Sequence, residues 1–423
     1  MQVAGAPRRH FFCEALRSLR ADYGDVGGAL VVREGDPRDA IPELVDEVGA
    51  TTVSWEIDYS GLAARRDTAM RDSLQKRGID VATEHGAVLH PPGSITTSTD
   101  DTYQVFTYFG RKWLDRPTPR SLDTPATLER SELDPGSIPT HECAADMPDI
   151  GTDHARQRLE TFCDDTIFRY ADEREEPAAR STSRLSADLS FGTIGIREVW
   201  ETTEDAFSRA DSDEERASVE EFQRQLAWRE FYAAMLETNP HMIDTNLTTF
   251  EHPIEWRNDA EELEAWKHGR TGYPIVDAGM RQLEEEAFMH NRVRMIVASF
   301  LTKDLQIDWR KGYRWFRRRL VDHDPANDAG GWQWAASTGT DAQPFFRVFN
   351  PMTQGERHDP EAAYIRRYVE ELAEVPPDTI HTWTELSASE RQHLARKYPA
   401  PIVDHQTRRE EGLAMYRAAR GET

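Results

Sequence analysis

The chain has 423 residues, of which 76 are acidic and 51 are basic, so its formal net charge is −25. This length is enough for two domains, each with a sizeable hydrophobic core. The composition predicts a solvated acidic surface of the kind that keeps proteins soluble in strong salt, and we therefore expect a halophilic host. It excludes nucleic acid as a partner unless basic residues gather in a local patch.

The three cysteines, Cys13, Cys143 and Cys163, are widely spaced and odd in number. They predict neither a disulfide framework nor a metal site, which fits a reducing cytoplasm. No apolar run reaches membrane-spanning length, and the first residues lack the apolar region of a signal peptide. We expect a soluble, cytoplasmic protein, a monomer without membrane contact.

Up to about His90, helix-like and strand-like segments alternate. The helical patterns are Phe11–Asp22, 37–50 and Gly61–Arg77, and the strand-like runs are Gly28–Val32, 51–56 and Ile79–Thr83. This alternation predicts an α/β domain with a parallel sheet. No Gly-rich phosphate loop follows any of these runs, so nothing in this half argues for a nucleotide site.

We divide the chain into an α/β domain over residues 1–114, a linker over 115–150 rich in Pro, Ser, Thr and Asp, and an α-helical domain over 151–423. A helix is expected near 102–113. Amphipathic patterns then predict helices over Asp153–Tyr170, Glu214–Thr238, Asp259–His268, Tyr273–Ala287, His290–Asp308 and Gly312–Leu320.

The most unusual stretch is Val321–Pro351, VDHDPANDAGGWQWAASTGTDAQPFFRVFNP. Its glycines allow close approach of the backbone to another group, and its aromatics beside carboxylates and carboxamides suit a flat ligand with polar edges. From these residues alone, a Trp-rich junction between helices would explain it as well.

Four further motifs accompany this stretch: TSRLS at 182–186, QLAWREFY at 225–232, GRTGYPIVDAGMRQL at 269–283 and MHNRVRM at 289–295. Together they resemble the DNA photolyase/cryptochrome flavoproteins, from about Tyr170 to the C-terminus and more weakly toward the N-terminus. Several long motifs in order are a specific signal. The resemblance implies a Rossmann-like parallel α/β domain followed by a large α-helical domain that binds FAD and uses blue light.

The N-terminal part departs from that family. Its usual opening strand, with a Trp-Phe-Arg-Arg-Asp-Leu-Arg motif, and the following helix and strand are not present. The loss would leave sheet edges unpaired, so we hypothesise that Met1 is a misassigned start. If the chain does lack these elements, an antenna chromophore, which this domain can hold in the family, is doubtful.

The residues Thr182–Ser186 offer hydroxyl and N–H groups at a helix start, which suits a pyrophosphate and equally a plain N-cap. The resemblance implies that they wrap the FAD phosphates. It also implies that Arg294 and Asp322 form a buried pair at the polar edge of the flavin. The full set of implied cofactor contacts is Tyr170, Thr182, Ser183, Arg184, Leu185, Ser186, Phe222, Asn291, Arg294, Asp322, His323 and Asp324, with Phe222 a modest departure from the family.

Taken singly, Trp256, Trp309 and Trp332 are ordinary core residues. The resemblance implies that they form the three-tryptophan chain that carries an electron from the surface to the photoexcited flavin. Such a chain serves repair and signalling alike.

The resemblance also implies a pocket for a pyrimidine dimer flipped out of DNA, because photolyases are among the enzymes that extrude a nucleotide and read it by stacking. Trp228 and Trp334 would form its aromatic walls, and arginines would contact phosphates. The implied DNA contacts are Arg174, Gln225, Trp228, Arg229, Tyr232, Asn291, Arg292, Met295, Trp334, Arg347 and Gln354.

Two positions in this pocket depart from the dimer-repairing enzymes. Gln225 replaces a Glu that can supply a proton, and Gln is also common in (6-4) photolyases and animal cryptochromes. Asp328 replaces the Asn that faces flavin N5; an acid there can protonate the flavin radical, which favours sensing. A shift of one residue would place Asn327 there instead, and this choice stays open.

We predict light-driven, FAD-dependent repair of cyclobutane pyrimidine dimers by electron transfer from excited FADH⁻, with Gln225 and Asp328 beside the reacting groups. The alternatives are a (6-4) photolyase, a cryptochrome-like photoreceptor and an FAD-binding remnant.

Overall fold

The computed structural model describes residues 4–129 and 131–422. Met1, which we questioned as the start, lies outside this range. The first elements in chain order are α1 (Ala6–Asp25), α2 (Pro37–Val48), β1 (Thr52–Glu56), α3 (Gly61–Lys76), β2 (Asp80–Glu84) and α4 (Phe106–Leu114). Strands β1 and β2 pair in parallel, with Thr52 opposite Asp80 and Glu56 opposite Glu84. The predicted parallel α/β arrangement is confirmed.

The prediction of a strand at Gly28–Val32 is wrong. This run has no strand partner among the described residues, and its backbone meets the segment after α4 instead. Leu128 N donates to Val26 O at 2.8 Å and Val32 N to Pro135 O at 2.9 Å. A short apolar run was therefore not enough to predict a strand, because no neighbouring strand supplies the ladder that stabilises one.

The segment after α4 has no helix or strand over 115–129 and 131–151. It runs along α1, where Arg17 donates to Pro139 O at 2.8 Å and Arg20 to Pro135 O at 2.9 Å. Helix α4 packs on the helix Asp213–Thr238, within the same core as the later helices. The domain boundaries at 114 and 150 stay predictions, since this core runs across them.

The rest of the chain is helical: α5 (Thr152–Asp164), α6 (Tyr170–Glu173), α7 (Ser186–Phe191), α8 (Ile196–Arg209), α9 (Asp213–Thr238), α10 (Ala260–Lys267), α11 (Pro274–Glu286), α12 (Asn291–Ser299), α13 (Trp309–Arg319), α14 (Pro325–Ala335), α15 (Pro351–His358), α16 (Ala363–Tyr368), α17 (Pro377–His381), α18 (Ala388–Leu394) and α19 (His405–Ala419). The predicted helices are present, with two interruptions. Helix α5 ends at Asp164, and α12 passes at Phe300 into a π-helical turn that ends at Asp304. Within the described residues, no helix has both the length and the apolar character needed to span a bilayer.

Helix α9 is the longest helix at the centre of this array. Ser212 caps its N-terminus by accepting a hydrogen bond from Glu215 N at 3.1 Å, and three acidic residues in the first turn favour the helix dipole. Buried residues recur along its length from Val219 to Leu236. It packs against α4, α6, α8 and α14, so it fixes the relative positions of both parts of the chain.

Two glycines allow helices to approach aromatic rings closely. A Cβ at Gly312 of α13 would lie 2.1 Å from the ring of Trp332, and one at Gly330 of α14 would lie 2.2 Å from the ring of Tyr232. Any larger residue would push these helices apart. Close packing against Tyr232 therefore explains Gly330, the first of the two glycines before Trp332.

The carboxylate of Glu230 on α9 ties the N-terminal part to the helical part. It accepts hydrogen bonds from Leu89 N at 2.5 Å, His90 N at 3.0 Å and Trp113 Nε1 at 2.6 Å. Burial raises the pKa of Glu230 to about 7, and the three donors oppose that shift. A single side chain therefore satisfies three buried donors from two segments.

We expect Glu230→Ala to lower the free energy of unfolding by about 3 kcal/mol or more, because three buried N–H groups lose their acceptor. Denaturant unfolding at one fixed salt concentration measures this. Glu237→Ala, exposed on the same helix, is the control and should cost less than about 0.5 kcal/mol. Equal losses in the two variants would contradict the role of Glu230.

Candidate active site

A cavity of about 480 Å³, here called the central cavity, lies between α9, α12 and α14. One face of α9 contributes Gln225, Trp228, Arg229 and Tyr232, which are spaced three or four residues apart and so lie on one side of the helix. The first turns of α12 and the glycine-containing part of α14 supply the other walls. The further lining residues come from α12, from α14 and from the two positions that follow α6. They include Arg174, Glu175, Asn291, Arg292, Arg294, Met295, Asn327, Asp328, Gly331, Trp332 and Trp334.

Nine of the residues predicted to contact DNA line this cavity: Arg174, Gln225, Trp228, Arg229, Tyr232, Asn291, Arg292, Met295 and Trp334. Arg347 and Gln354 do not line it. Arg347 is exposed between α14 and α15, and Gln354 is half-buried on α15. These two stay predictions for a more distant part of a DNA surface.

Two tryptophans form the aromatic walls. Trp228 stacks on Phe106 of α4, with ring centroids 3.7 Å apart and planes 9° apart. Trp334 is half-buried, and its ring centroid lies 6.4 Å from that of Phe349. Both indoles line the central cavity and so offer apolar aromatic surface to a flat ligand.

The side-chain amide of Gln225 is held in place on both sides. Its Nε2 donates to Glu221 Oε1 at 2.8 Å, and its Oε1 accepts from Arg174 Nη2 at 3.2 Å. A primary amide has two N–H donors, and Nε2 also donates to the backbone carbonyl of Glu221 at 3.3 Å, a longer bond that a ligand in the cavity could replace. The replacement of Glu by Gln at this position therefore still leaves a fixed donor.

Arg229 has a structural role that the sequence did not predict, while its phosphate contact stays a prediction. Its guanidinium donates to Ala87 O at 2.5 Å and to Leu189 O at 3.3 Å. These bonds join α9 to the segment after β2, so Arg229 helps to hold the two parts of the chain together. The motif could not reveal this, because the partners are backbone carbonyls distant in sequence.

At the inner end of the central cavity, Arg294 and Asp322 form the predicted pair. Arg294 Nη2 lies 2.8 Å from Asp322 Oδ2 and 3.0 Å from Oδ1, and Ser186 Oγ donates to the same carboxylate at 2.6 Å. Burial opposes the charge of Arg294, but Asp322 and Asp328 outweigh it and raise the pKa of Arg294 above its usual value. The pair joins three segments that are remote in sequence.

Asp328 and Asn327 both line the cavity, so the choice between them at flavin N5 remains open. Asp328 Oδ2 lies 2.5 Å from His323 Nδ1, and its Oδ1 lies 3.9 Å from Arg294 Nη1. Asn327 Nδ2 donates to Asp324 Oδ1 at 3.1 Å, while Asp324 caps α14 through Asn327 N at 2.8 Å. His323 and Asp324 therefore position their neighbours in addition to any contact with a cofactor.

A second cavity of about 440 Å³, here called the arginine cavity, adjoins the TSRLS motif. Thr182 and Arg184 line it, and Arg184 has a positive φ of 56°. Its guanidinium pairs with Glu286 at 2.9 Å and lies 3.7 Å above the ring of Phe288. Ser183 Oγ accepts from Leu185 N at 3.5 Å, and Leu185 itself is buried in the core.

Three arginines in this cavity were not expected from the sequence: Arg158, Arg180 and Arg367. They come from α5, from the loop before TSRLS and from α16, so no spacing along the chain connects them. Guanidinium groups beside hydroxyls and a helix start are the donors that a pyrophosphate needs.

Tyr170 and Phe222 meet beside this region. Their rings pack edge to face, with centroids 5.3 Å apart, and both rest on Phe162. Tyr170 and Phe222 line neither the central cavity nor the arginine cavity. Their contact with a cofactor stays a prediction.

The two cavities share the segment 288–295, and buried polar atoms there and nearby lack partners. Both ring nitrogens of His290 and Nε1 of Trp332 have no hydrogen-bond partner among the described residues. Burial lowers the pKa of His290 to about 4, so the ring is neutral at pH 7. The residues fit a ligand with an anionic bridge in one cavity and a flat, polar-edged ring in the other.

Of the three predicted chain tryptophans, two are buried and one is partly exposed. Trp332 lines it and is buried, Trp309 is fully buried on α13, and Trp256 is half-buried. Trp309 Nε1 donates to Asn246 Oδ1 at 2.9 Å, and Trp256 packs edge-on to Tyr416 with centroids 6.1 Å apart. Gly312 brings α13, which carries Trp309, against the ring of Trp332.

Comparisons with known proteins agree with this geometry. Residues 222–418 match the model for the FAD binding domain of DNA photolyase, and residues 1–128 match the model for DNA photolyase. The chain is 54% identical to the deoxyribodipyrimidine photo-lyase of Halobacterium salinarum, over 99% of this chain and 89% of that protein. It is 38% identical to the enzyme of the same name from Agrobacterium fabrum, over 99% and 90%.

Solved structures give the same result. A bacterial class III photolyase from Agrobacterium tumefaciens superposes with a TM-score of 0.91 at 36% identity, covering 99% of this chain and 89% of that one. A cryptochrome from Synechocystis gives 0.90 at 27% identity, covering 97% and 89%. The chain therefore belongs to the DNA photolyase family and carries its FAD-binding domain.

Proposed function

We propose that the chain is a light-driven enzyme that repairs cyclobutane pyrimidine dimers in DNA, with FAD as cofactor. The observation that carries this proposal is the central cavity, where two indole walls and the amide of Gln225 meet the Arg294–Asp322 pair. A dimer flipped out of the duplex would stack between Trp228 and Trp334. The same cavity gives the local cluster of cations that so acidic a chain needs for DNA.

The cofactor would span both cavities. Thr182, Arg184 and the arginines of the arginine cavity would hold its pyrophosphate, and Arg294, Asp322, Asn327 and Asp328 would face its ring. Reduced FAD, when bound, supplies an electron to the dimer on absorbing light and takes it back after both cyclobutane C–C bonds have broken.

The chain's own residues orient and shield the substrate. Glu221 and Arg174 fix the amide of Gln225. The N–H that makes the longer bond to Glu221 O would donate instead to a pyrimidine carbonyl whose negative charge grows when the dimer gains an electron. The indoles exclude water from the same space. His323 would hold Asp328 in the arrangement seen here.

Relatives favour repair over the sensor. The two proteins with 54% and 38% identity are named photo-lyases, while the superposed cryptochrome is 27% identical. Asp328 favours the photoreceptor instead, because a carboxylic acid near flavin N5 can protonate the flavin radical. We further propose that the enzyme acts as a monomer in the cytoplasm, where Cys13, Cys143 and Cys163 would stay as the free thiols observed.

We expect the purified protein, reduced and kept at high salt, to remove a single defined thymine dimer from an oligonucleotide in blue light and to leave it intact in the dark. Chromatography of the digested oligonucleotide measures the loss. An oligonucleotide with a (6-4) lesion is the matched control. Loss of the (6-4) lesion alone, or of neither lesion with FAD bound and reduced, would contradict dimer repair.

We expect Trp309→Phe to reduce light-driven reduction of the bound oxidised flavin to a small fraction of the wild-type rate, because a phenyl ring is much harder to oxidise than indole. Flavin absorbance during illumination with an external thiol measures this. Trp315→Phe on the same helix, outside the proposed chain, is the control. A Trp309→Phe protein that is reduced as fast as this control would remove Trp309 from the electron path.

A further inference from the structure

Two arginines at the mouth of the central cavity share one carboxylate. Arg292 contacts Glu175 through both Nε and Nη2, and Arg174 Nε lies 3.5 Å from Glu175 Oε1. Each arginine side chain is 17% exposed and Glu175 is 34% exposed. The carboxylate therefore sits on the solvent side of two partly buried cations.

Glu175 has no structural duty that would explain this position. Among the described residues, the hydrogen bonds and ion pairs of its side chain are to these two arginines. Glu221 also contacts Arg174, but it holds the amide of Gln225 as well. Glu221 thus orients a side chain that lines the cavity, whereas Glu175 only neutralises the charge of the two arginines.

A carboxylate resembles a DNA phosphodiester in the property that guanidinium groups recognise. Both carry one negative charge on two oxygens, and both accept paired N–H donors. A phosphate and Glu175 would therefore compete for the same donors on Arg174 and Arg292.

We infer that Glu175 is an internal substitute for a DNA phosphate, and that it must leave Arg174 and Arg292 before DNA binds. This inference rests on the proposed function, because it takes DNA as the ligand. Displacing Glu175 costs the same free energy whether the duplex is damaged or intact. It therefore weakens binding to both by the same factor. Glu175 directly follows the C-cap of α6 and is partly exposed, so its side chain can turn into solvent without opening the core.

The test compares Glu175→Gln with Glu176→Gln, which removes the same charge from the next, exposed residue. Glu176 forms no ion pair within the described part of the chain. Fluorescence anisotropy would measure the affinity for a duplex with one thymine dimer and for the same duplex without it, at several salt concentrations.

For Glu175→Gln we expect both affinities to rise together, by roughly three- to tenfold at the lowest salt used, and the log–log salt slope to steepen by up to about one. Glu175→Asp keeps the charge on a shorter side chain and should fall between wild type and Glu175→Gln. Adding Arg292→Ala to Glu175→Gln should abolish most of the gain. Flavin content and the unfolding midpoint of each variant would show that the fold is retained.

The outcomes separate the two proposals. If the wild type prefers and repairs dimer DNA while Glu175→Gln matches Glu176→Gln in affinity and salt slope, the phosphate substitute is wrong. A rise confined to dimer DNA would also contradict it. If the wild type neither prefers nor repairs dimer DNA, the proposed function itself fails.

Discussion

The structure depends most on the buried guanidinium of Arg294. Asp322 neutralises it, Ser186 donates to the same carboxylate, and Asp328 approaches from α14 with His323 behind it. A buried charge that loses its partner is strongly destabilising, so these segments must arrive together. The helix starts at Ser186 and Asn291 and the loop before α14 thereby acquire fixed positions beside the central cavity, which Arg294 lines.

The distribution of charge reconciles an acidic chain with a polyanionic partner. The net charge of −25 belongs to the whole surface, while the two cavities gather arginines from α5, α6, α12 and α16. Several of the arginines that line the two cavities are already paired with acids inside the protein, among them Arg184 with Glu286 and Arg158 with Asp188. Halobacterium salinarum supplies a similar protein, in keeping with an acidic surface suited to strong salt.

Much of this architecture could be predicted from the sequence, because the signals were local. Amphipathic periodicity found the long helices, and the motif at 182–186 found one wall of the arginine cavity. The strand prediction at Gly28–Val32 was wrong because a strand needs a neighbouring strand to pair with. The pattern within one segment does not show whether such a neighbour exists. The role of Arg229 and the presence of Arg158, Arg180 and Arg367 depend on contacts between remote segments. No spacing rule contains that information.

The difference in burial between Trp256 and the two enclosed tryptophans has a consequence for the direction in which charge would move along the proposed electron path. An indole that gives up an electron becomes a cation, and a cation is costly where water is excluded. Trp332 and Trp309 are enclosed, and Gly312 lets α13 pack against the inner ring without an intervening side chain. Trp256 alone of the three reaches solvent. Along the proposed electron path, hydration would therefore draw a positive charge outward and hold it there. The solvent at Trp256 would supply part of the driving force that the protein interior cannot.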